Sequence, residues 1–225
     1  MALDVAAAVL AYLLGSIPFG YLLVRIFLKQ DIRQTGSGNI GATNVARSGA
    51  KGLAIATLLL DAGKGFAAAW LGWHLYSVPT VVNVEEAFRF ACITSLCAIA
   101  GHMFPVWLKF RGGKGVAAAV GAFAFLAPKP VLVAVAVFLV VVALTRYVSL
   151  GSICAAIVFP LAVRFLPPVM FDKNPVSPAV LAILSLCSAL IILKHHQNLR
   201  RIFAGAESKL GSKPVPPPQQ VEKQA

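Results

Sequence analysis

Three stretches of the 225-residue chain concentrate side chains that can hold anions or move protons. The first is Gly36-Ser37-Gly38-Asn39-Ile40-Gly41-Ala42-Thr43-Asn44-Val45-Ala46-Arg47. Its glycines let backbone N–H groups approach an anion, while Ser37, Asn39, Thr43 and Asn44 add neutral donors. Arg47 supplies a planar fork suited to phosphate oxygens. The competing reading is a flexible polar loop. The spacing Gly36-x-Gly38-x-x-Gly41 imitates a dinucleotide fingerprint, with Asp61 near the place of a ribose-binding acid. That fingerprint needs a preceding strand, and here an apolar, helix-like block precedes it.

The second stretch is Gly101-His102-Met103-Phe104-Pro105, continuing to Phe110-Arg111-Gly112-Gly113-Lys114-Gly115. Lys114 among glycines resembles a phosphate cradle, and the loop runs into an apolar segment whose helical N-terminus would face a bound anion. Leu108 and Val116 stand where a Walker A loop needs glycine and Ser/Thr, so nucleotide hydrolysis is not expected. Lys109 and Arg111 read as membrane anchors, and the whole loop read as a basic anchor is the alternative. His102 is either a site residue or a satisfied interfacial histidine.

The third stretch is His195-His196-Gln197-Asn198-Leu199-Arg200-Arg201, followed by Gly205-Ala206-Glu207. It reads as a helix continuing from the last apolar block, with Gly205 as its stop. His195, Asn198 and Arg201 are three apart and share a face. They could present a base, an amide and a cation to one substrate; a solvated basic juxtamembrane helix accounts for the composition equally well. No HExxH and no Cys/His metal spacing occurs, so no metal is expected. Cys92, Cys97, Cys154 and Cys187 lie in apolar runs and read as small hydrophobes.

Between these stretches the chain is lipid-like. It is 59% hydrophobic and 12% charged, against about 25% charged in soluble domains. A soluble fold of this length could not hide that much apolar surface. The expectation is an all-α integral membrane protein, a polytopic bundle of about seven transmembrane helices. The apolar blocks are 4–28, 51–76, 87–108, 115–128, 130–145, 148–168 and 177–194. Pro128 and Pro130 mark a tight turn between the two short blocks, a single bent element being the alternative. The first block follows Asp4 and precedes Arg25, Lys29 and Arg33, which does not suit a cleaved signal.

Placing the N-terminus outside puts Arg25, Lys29, Arg33, Arg47, Lys51, Lys109, Arg111, Lys114, Arg146, Lys194, Arg200, Arg201, Lys209, Lys213 and Lys223 on the cytoplasmic side. Only Arg89, Lys129, Arg164 and Lys173 fall outside, and this bias orients the bundle. The +12 net charge therefore points to anionic lipid and substrates, with the bilayer as the partner, no nucleic acid and no evident obligate protein partner. The C-terminus and all three polar stretches fall on the cytoplasmic side. Residues 1–210 are read as one transmembrane catalytic domain and 211–225 as a disordered Pro-rich tail. Asp61 and Lys64, at i and i+3 inside the second block, are expected to pair with each other or to serve function.

Taken together, the three stretches resemble the motifs of the bacterial acyl-phosphate:glycerol-3-phosphate acyltransferase family, the PlsY type. The matching strings are GSGNIGATNVAR at 36–47, GHMFPVWLKFRGGKGVA at 101–117 and HHQNLRRIFAGAE at 195–207. The resemblance implies a seven-helix enzyme of the bacterial inner membrane with its site facing the cytosol. It implies acyl transfer from acyl phosphate to the 1-hydroxyl of sn-glycerol 3-phosphate, giving lysophosphatidate and phosphate in phospholipid biosynthesis, with no cofactor. No His is followed five positions later by Asp, so the dyad of thioester-dependent acyltransferases is absent.

By the same resemblance the glycine-rich loop Gly112-Gly113-Lys114-Gly115 belongs with acyl phosphate, and Ser37, Arg47 and Lys114 bind phosphate. Gly38, Asn39, Thr43 and Asn44 orient substrate or stabilise the oxyanion, and His102 and Arg201 complete the binding set. His195 and Asn198 position the attacking hydroxyl, and His195 or a substrate phosphate takes its proton. Glu207 is expected to hold Arg201 or Arg47. A carrier for a phosphorylated metabolite is the rival class, but few helix centres are polar and no internal repeat is present.

Overall fold

The computed structural model describes residues 2–76, 83–166 and 176–211. Lys173, Lys213, Lys223 and nearly all of the expected tail lie outside these residues. Among the described residues the regular structure is helical: α1 (Ala2–Ser16), α2 (Phe19–Phe27), α3 (Ala42–Arg47), α4 (Lys51–Tyr76), α5 (Val84–Met103), α6 (Val116–Leu126), α7 (Pro128–Thr145), α8 (Val148–Phe165), α9 (Pro178–Lys194) and α10 (His196–Phe203).

Five segments are long and apolar enough to cross a membrane: 2–27, 51–76, 84–108, 128–145 and 148–165. The 26 residues of α4 alone rise about 39 Å, more than a hydrocarbon core of about 30 Å. A sixth candidate joins α9 and α10, which are bent by 49°. The 115–128 block yields only the 11 residues of α6, about 16 Å long. The first block is interrupted where Pro18, which has no N–H, separates α1 from α2. Only Ala127 separates α6 from α7, whose first residue is Pro128. The turn read from the two prolines is therefore present.

The third polar stretch differs from expectation. It does not simply prolong the last span: α9 ends at Lys194 and α10 restarts after His195. The amide of His195 donates to Ile192 O at 2.9 Å, tightening the last turn. The Nδ1 atoms of His195 and His196 bond the carbonyls of Ile191 and Leu193 at 2.8 and 2.9 Å. Two imidazoles thus terminate the helix that the apolar pattern alone would continue.

α4 lies at the centre, packed along α5 and α6, while α1 packs on α5, α7 on α8, and α9 on both α8 and α5. Close approach is set by small residues. A side chain at Gly65 would collide with Ala118 O on α6, and one at Gly121 with Ala62 O on α4. A core forms around Phe88, Ile99 and Met103 of α5, Leu126 of α6, Val163 of α8 and Leu184 of α9, all fully buried. The outer surface carries Leu59, Leu132, Leu144 and Phe165, each more than 60% exposed. Such a surface is stable only in lipid. Gly121→Val should open the α4–α6 interface and cost about 1–3 kcal/mol. Thermal unfolding in detergent should show this as a lowered Tm; an unchanged Tm would mean the two helices separate without penalty.

Candidate active site

Tyr76, at the end of α4, donates to Asp4 near the start of α1 at 2.6 Å, which marks one end of the bundle. The three polar stretches gather at the other end. In the first, Asn44 is 2% exposed and organises the loop from within. Its Oδ1 accepts the Ser37 N–H at 2.9 Å, and its Nδ2 donates to the carbonyls of Ile32, Thr35 and Asn39 at 3.1, 3.0 and 2.8 Å. Gly36 sits at φ +56, and any side chain there would strike Asn44 Oδ1. Asn44 thus spends its amide on loop structure, and the loop in turn sets Ser37 and Asn39 at its edge. α3 follows and ends on Arg47, whose Nη2 donates to Ser208 O at 3.3 Å.

The second stretch turns back on the end of α5. Lys109 and Phe110 hold left-handed backbone, with φ of 52° and 61°, a conformation costly for residues other than glycine. The reversal lets Gly112 N donate to Met103 O at 3.2 Å and Gly113 N to His102 O at 2.9 Å. The imidazole of His102 lies directly against Gly113, where a side chain would collide with it. Lys114 then projects toward α10, and its Nζ donates to Asn198 Oδ1 at 2.6 Å.

α10 stops at Gly205, φ +67. There Ala206 N reaches Arg201 O at 2.8 Å and Gly205 N reaches Ile202 O at 3.0 Å, the bond pair of a Schellman stop. The reversal carries Glu207 back over the site. Its Oε1 accepts from Asn198 Nδ2 at 2.6 Å and from Ser149 Oγ at 2.7 Å, and its Oε2 accepts from Arg201 Nε at 2.7 Å. Lys114, Asn198 and Glu207 form one chain of hydrogen bonds. A cation at one end and a carboxylate at the other fix which way the Asn198 amide faces.

The electrostatics follow from this layout. Burial pulls the Lys114 ammonium down to about 8, and the nearby Arg201 and Arg47 charges outdo part of the help from Glu207. Burial also lowers the Arg47 guanidinium, with Glu207 opposing it, yet Arg keeps its charge at neutral pH. Burial would raise Glu207, but its bonds from Asn198, Arg201 and Ser149 prevail and hold it below its usual value. Burial, then the Lys114 charge, pushes His195 down to about 4. His195 Nδ1 faces a carbonyl, which only accepts, so Nδ1 carries the hydrogen and Nε2 keeps a lone pair.

Two cavities meet at this network. One, of about 510 Å³, is lined at its polar end by Arg47, Lys114, His195 and Glu207, and further on by Val120, Phe123, Val135, Phe138 and Phe159 from α6, α7 and α8. The other, of about 610 Å³, is polar and basic, lined by Arg33, Arg111, Lys114, Lys194 and Arg201. Ser37, Asn39, Lys114 and Asn198 line both. Thr43, Asn44, His102 and Gly115 line the first; Gly38, Gly112 and Gly113 line the second. Every residue given a substrate or catalytic role from the sequence therefore lines one cavity or the other. Sequence reasoning missed Ser149, whose only signal is a hydroxyl in the first turn of an apolar helix. It also missed the strap formed where Leu210 N donates to Arg146 O at 2.7 Å and Arg146 donates back to Leu210 O.

The fold and site define a multi-pass membrane protein with a basic, hydrogen-bonded centre where a polar and an apolar cavity join. The glycerol-3-phosphate acyltransferase family profile matches residues 5–205, and the chain belongs to that family. It is 46% identical over 208 residues to a glycerol-3-phosphate acyltransferase of Rhizobium etli, covering 92% of each chain. It is 43% identical to one of Mesorhizobium japonicum, covering 93% of this chain and 97% of that one. Among solved structures it resembles PlsY, an integral membrane glycerol 3-phosphate acyltransferase. The glycerol 3-phosphate form gives a TM-score of 0.79 at 34% identity, covering 92% and 96% of the two chains. The lysophosphatidic acid form gives 0.76 at 35%, covering 92% and 95%.

Lys114 makes a pH prediction with opposite signs for anion binding and stability. Its folded value of about 8 lies below the free value of 10.5. Above pH 8 the folded protein holds fewer protons at this site than the unfolded chain, so the Lys114 contribution to stability rises with pH. Binding of phosphate-bearing ligands should instead weaken from about pH 8 as the charge is lost. Isothermal titration of glycerol 3-phosphate across pH 7–9.5 should show that limb, and Lys114→Arg should remove it.

Proposed function

We propose that this chain transfers a fatty acyl group from acyl phosphate to the 1-hydroxyl of sn-glycerol 3-phosphate. The products are 1-acyl-glycerol 3-phosphate (lysophosphatidate) and inorganic phosphate. The observation that carries this reading is the junction of the two cavities at Ser37, Asn39, Lys114 and Asn198. A polar phosphomonoester and an acyl chain can meet there without either entering the other's solvent. The family membership and the ligands named for the PlsY structures support the acceptor.

In this reading Lys114, Arg47 and Ser37 receive phosphate groups, and the backbone of Gly112 and Gly113 approaches the phosphate of the donor. Gly38, Asn39 and Thr43 orient substrate and meet the developing oxyanion. Asn44 acts through the loop it holds, and Glu207 through Asn198 and Arg201. The hydroxyl oxygen attacks the acyl carbonyl carbon, the bond to the phosphate oxygen breaks, and phosphate departs. His195 Nε2 accepts the hydrogen bond of the attacking hydroxyl and aims it. In the substrate-free site this imidazole holds a proton only below about pH 4. A phosphate monoester with a second pKa near 6 is the stronger proton acceptor, so the proton passes to a substrate phosphate.

The same reading places the chain in the bacterial inner membrane with seven spans, α1 and α2 together forming the first and α6 counted as the fourth. The N-terminus is outside, and the site and C-terminus face the cytosol. Residues 1–210 form the catalytic domain, and the tail has no part in turnover. The reaction as written consumes no cofactor and needs no metal or protein partner.

Purified protein in detergent should release phosphate from acyl phosphate only when glycerol 3-phosphate is added. Equal use of acyl thioesters would overturn the donor assignment. Lys114→Ala should abolish turnover in a protein that still elutes as a folded species. His195→Asn should lower kcat by less than the roughly 10²–10⁴-fold that general-base loss brings, with the acid limb of the profile unmoved.

A further inference from the structure

The intramembrane pair does more than neutralise itself. Asp61 Oδ1 stands 2.8 Å from Lys64 Nζ and 3.4 Å from His102 Nδ1, with the three side chains 1–4% exposed. Lys64 Nζ also donates to Ile17 O at 2.8 Å, a carbonyl turned out of the helix at the break before Pro18. On the other side, His102 presses its ring against Gly113 and accepts the Gly113 N–H on its carbonyl at 2.9 Å. A continuous path therefore runs from the break in the first span through Lys64, Asp61 and His102 to the residue before Lys114. Asp61 and His102 both line the apolar-ended cavity.

We propose that Asp61 is a positioning residue: through His102 it fixes the Gly112-Gly113-Lys114 loop that receives the donor phosphate. The proposal rests on the reading of that loop as a phosphate cradle. Charge neutralisation alone does not account for the arrangement. An i,i+3 pair on one helix needs no third partner, and a buried ion pair can be replaced by apolar residues of similar volume with little loss of stability. Here the pair contacts a residue of another helix whose ring and carbonyl both hold the loop.

This difference supplies the test. Asp61→Leu/Lys64→Met removes both charges together and leaves no buried ion uncompensated. If Asp61 positions the loop, hydrogen exchange in residues 109–115 should quicken about tenfold through more frequent local opening, with Tm and exchange elsewhere unchanged. KM for acyl phosphate should rise about tenfold, a larger change than in KM for glycerol 3-phosphate. Wild-type exchange in the loop, or loosening spread over the whole bundle, overturns the proposal in favour of a purely structural pair. If the double variant does not fold, His102→Phe keeps a ring against Gly113 but drops the contact with Asp61, and wild-type loop exchange there overturns it equally. Should the wild-type protein fail to use acyl phosphate, the functional reading falls, while the exchange comparison still decides whether Asp61 holds the loop.

Discussion

Two oxygens of one carboxylate set the geometry of the site. Glu207 accepts hydrogen bonds from Ser149 at the start of α8 and from Asn198 and Arg201 on α10. Through Asn198 it reaches Lys114 on the glycine-rich loop. Without that acceptor, Lys114, Arg201 and Arg47 would repel one another across a poorly solvated space. Hydrogen bonds to charged groups contribute about 1.5–3 kcal/mol each, enough for the three bonds to hold a non-helical segment against its own chain entropy. The cations are thus kept close enough to share a ligand while still carrying charge to give it.

The helices bring these parts together by being thin. Gly65 and Gly121 seat α4 and α6 backbone to backbone, and Gly15 and Gly101 do the same for α1 and α5, where side chains would collide with Ala98 and Tyr12. In lipid no hydrophobic force drives such contacts, so small residues and van der Waals fit must do so. The α1–α4–α5–α6 group is densely packed and so is the α7–α8 pair, but α7 touches α6 only lightly. The apolar cavity lies on the α7–α8 side of α6, where that packing relaxes.

Much of this was legible in the sequence because each feature has a local cause. Apolar blocks reported the helices, paired prolines reported the α6–α7 turn, and Gly205 reported the end of α10. The residues that line the candidate site stood out because polar groups are conspicuous in an apolar chain. What escaped was set by side-chain bonds that leave no periodic signal in the sequence. The break at His195 depends on imidazole bonds to the preceding turn, which the apolar pattern cannot register. Asn44 looked like a ligand because its chemistry is that of a ligand, but its amide is consumed by Ile32, Thr35, Ser37 and Asn39. Ser149 was invisible because one hydroxyl in a helix carries no spacing signal. Of the two partners expected for Glu207, Arg201 and Arg47, the ion pair forms with Arg201, because the Schellman stop returns the chain toward α10.

The position of Glu207 in the chain also has a meaning in time. All the apolar segments precede it, so during synthesis the helices can enter the bilayer and associate before the ribosome releases the residue that ties the polar ends together. Until then the three cations lack the carboxylate that offsets their charge. Commitment to a working centre is therefore separated from commitment to the membrane. A chain cut short before Gly205 would lack the brace that fixes Asn198 and Arg201.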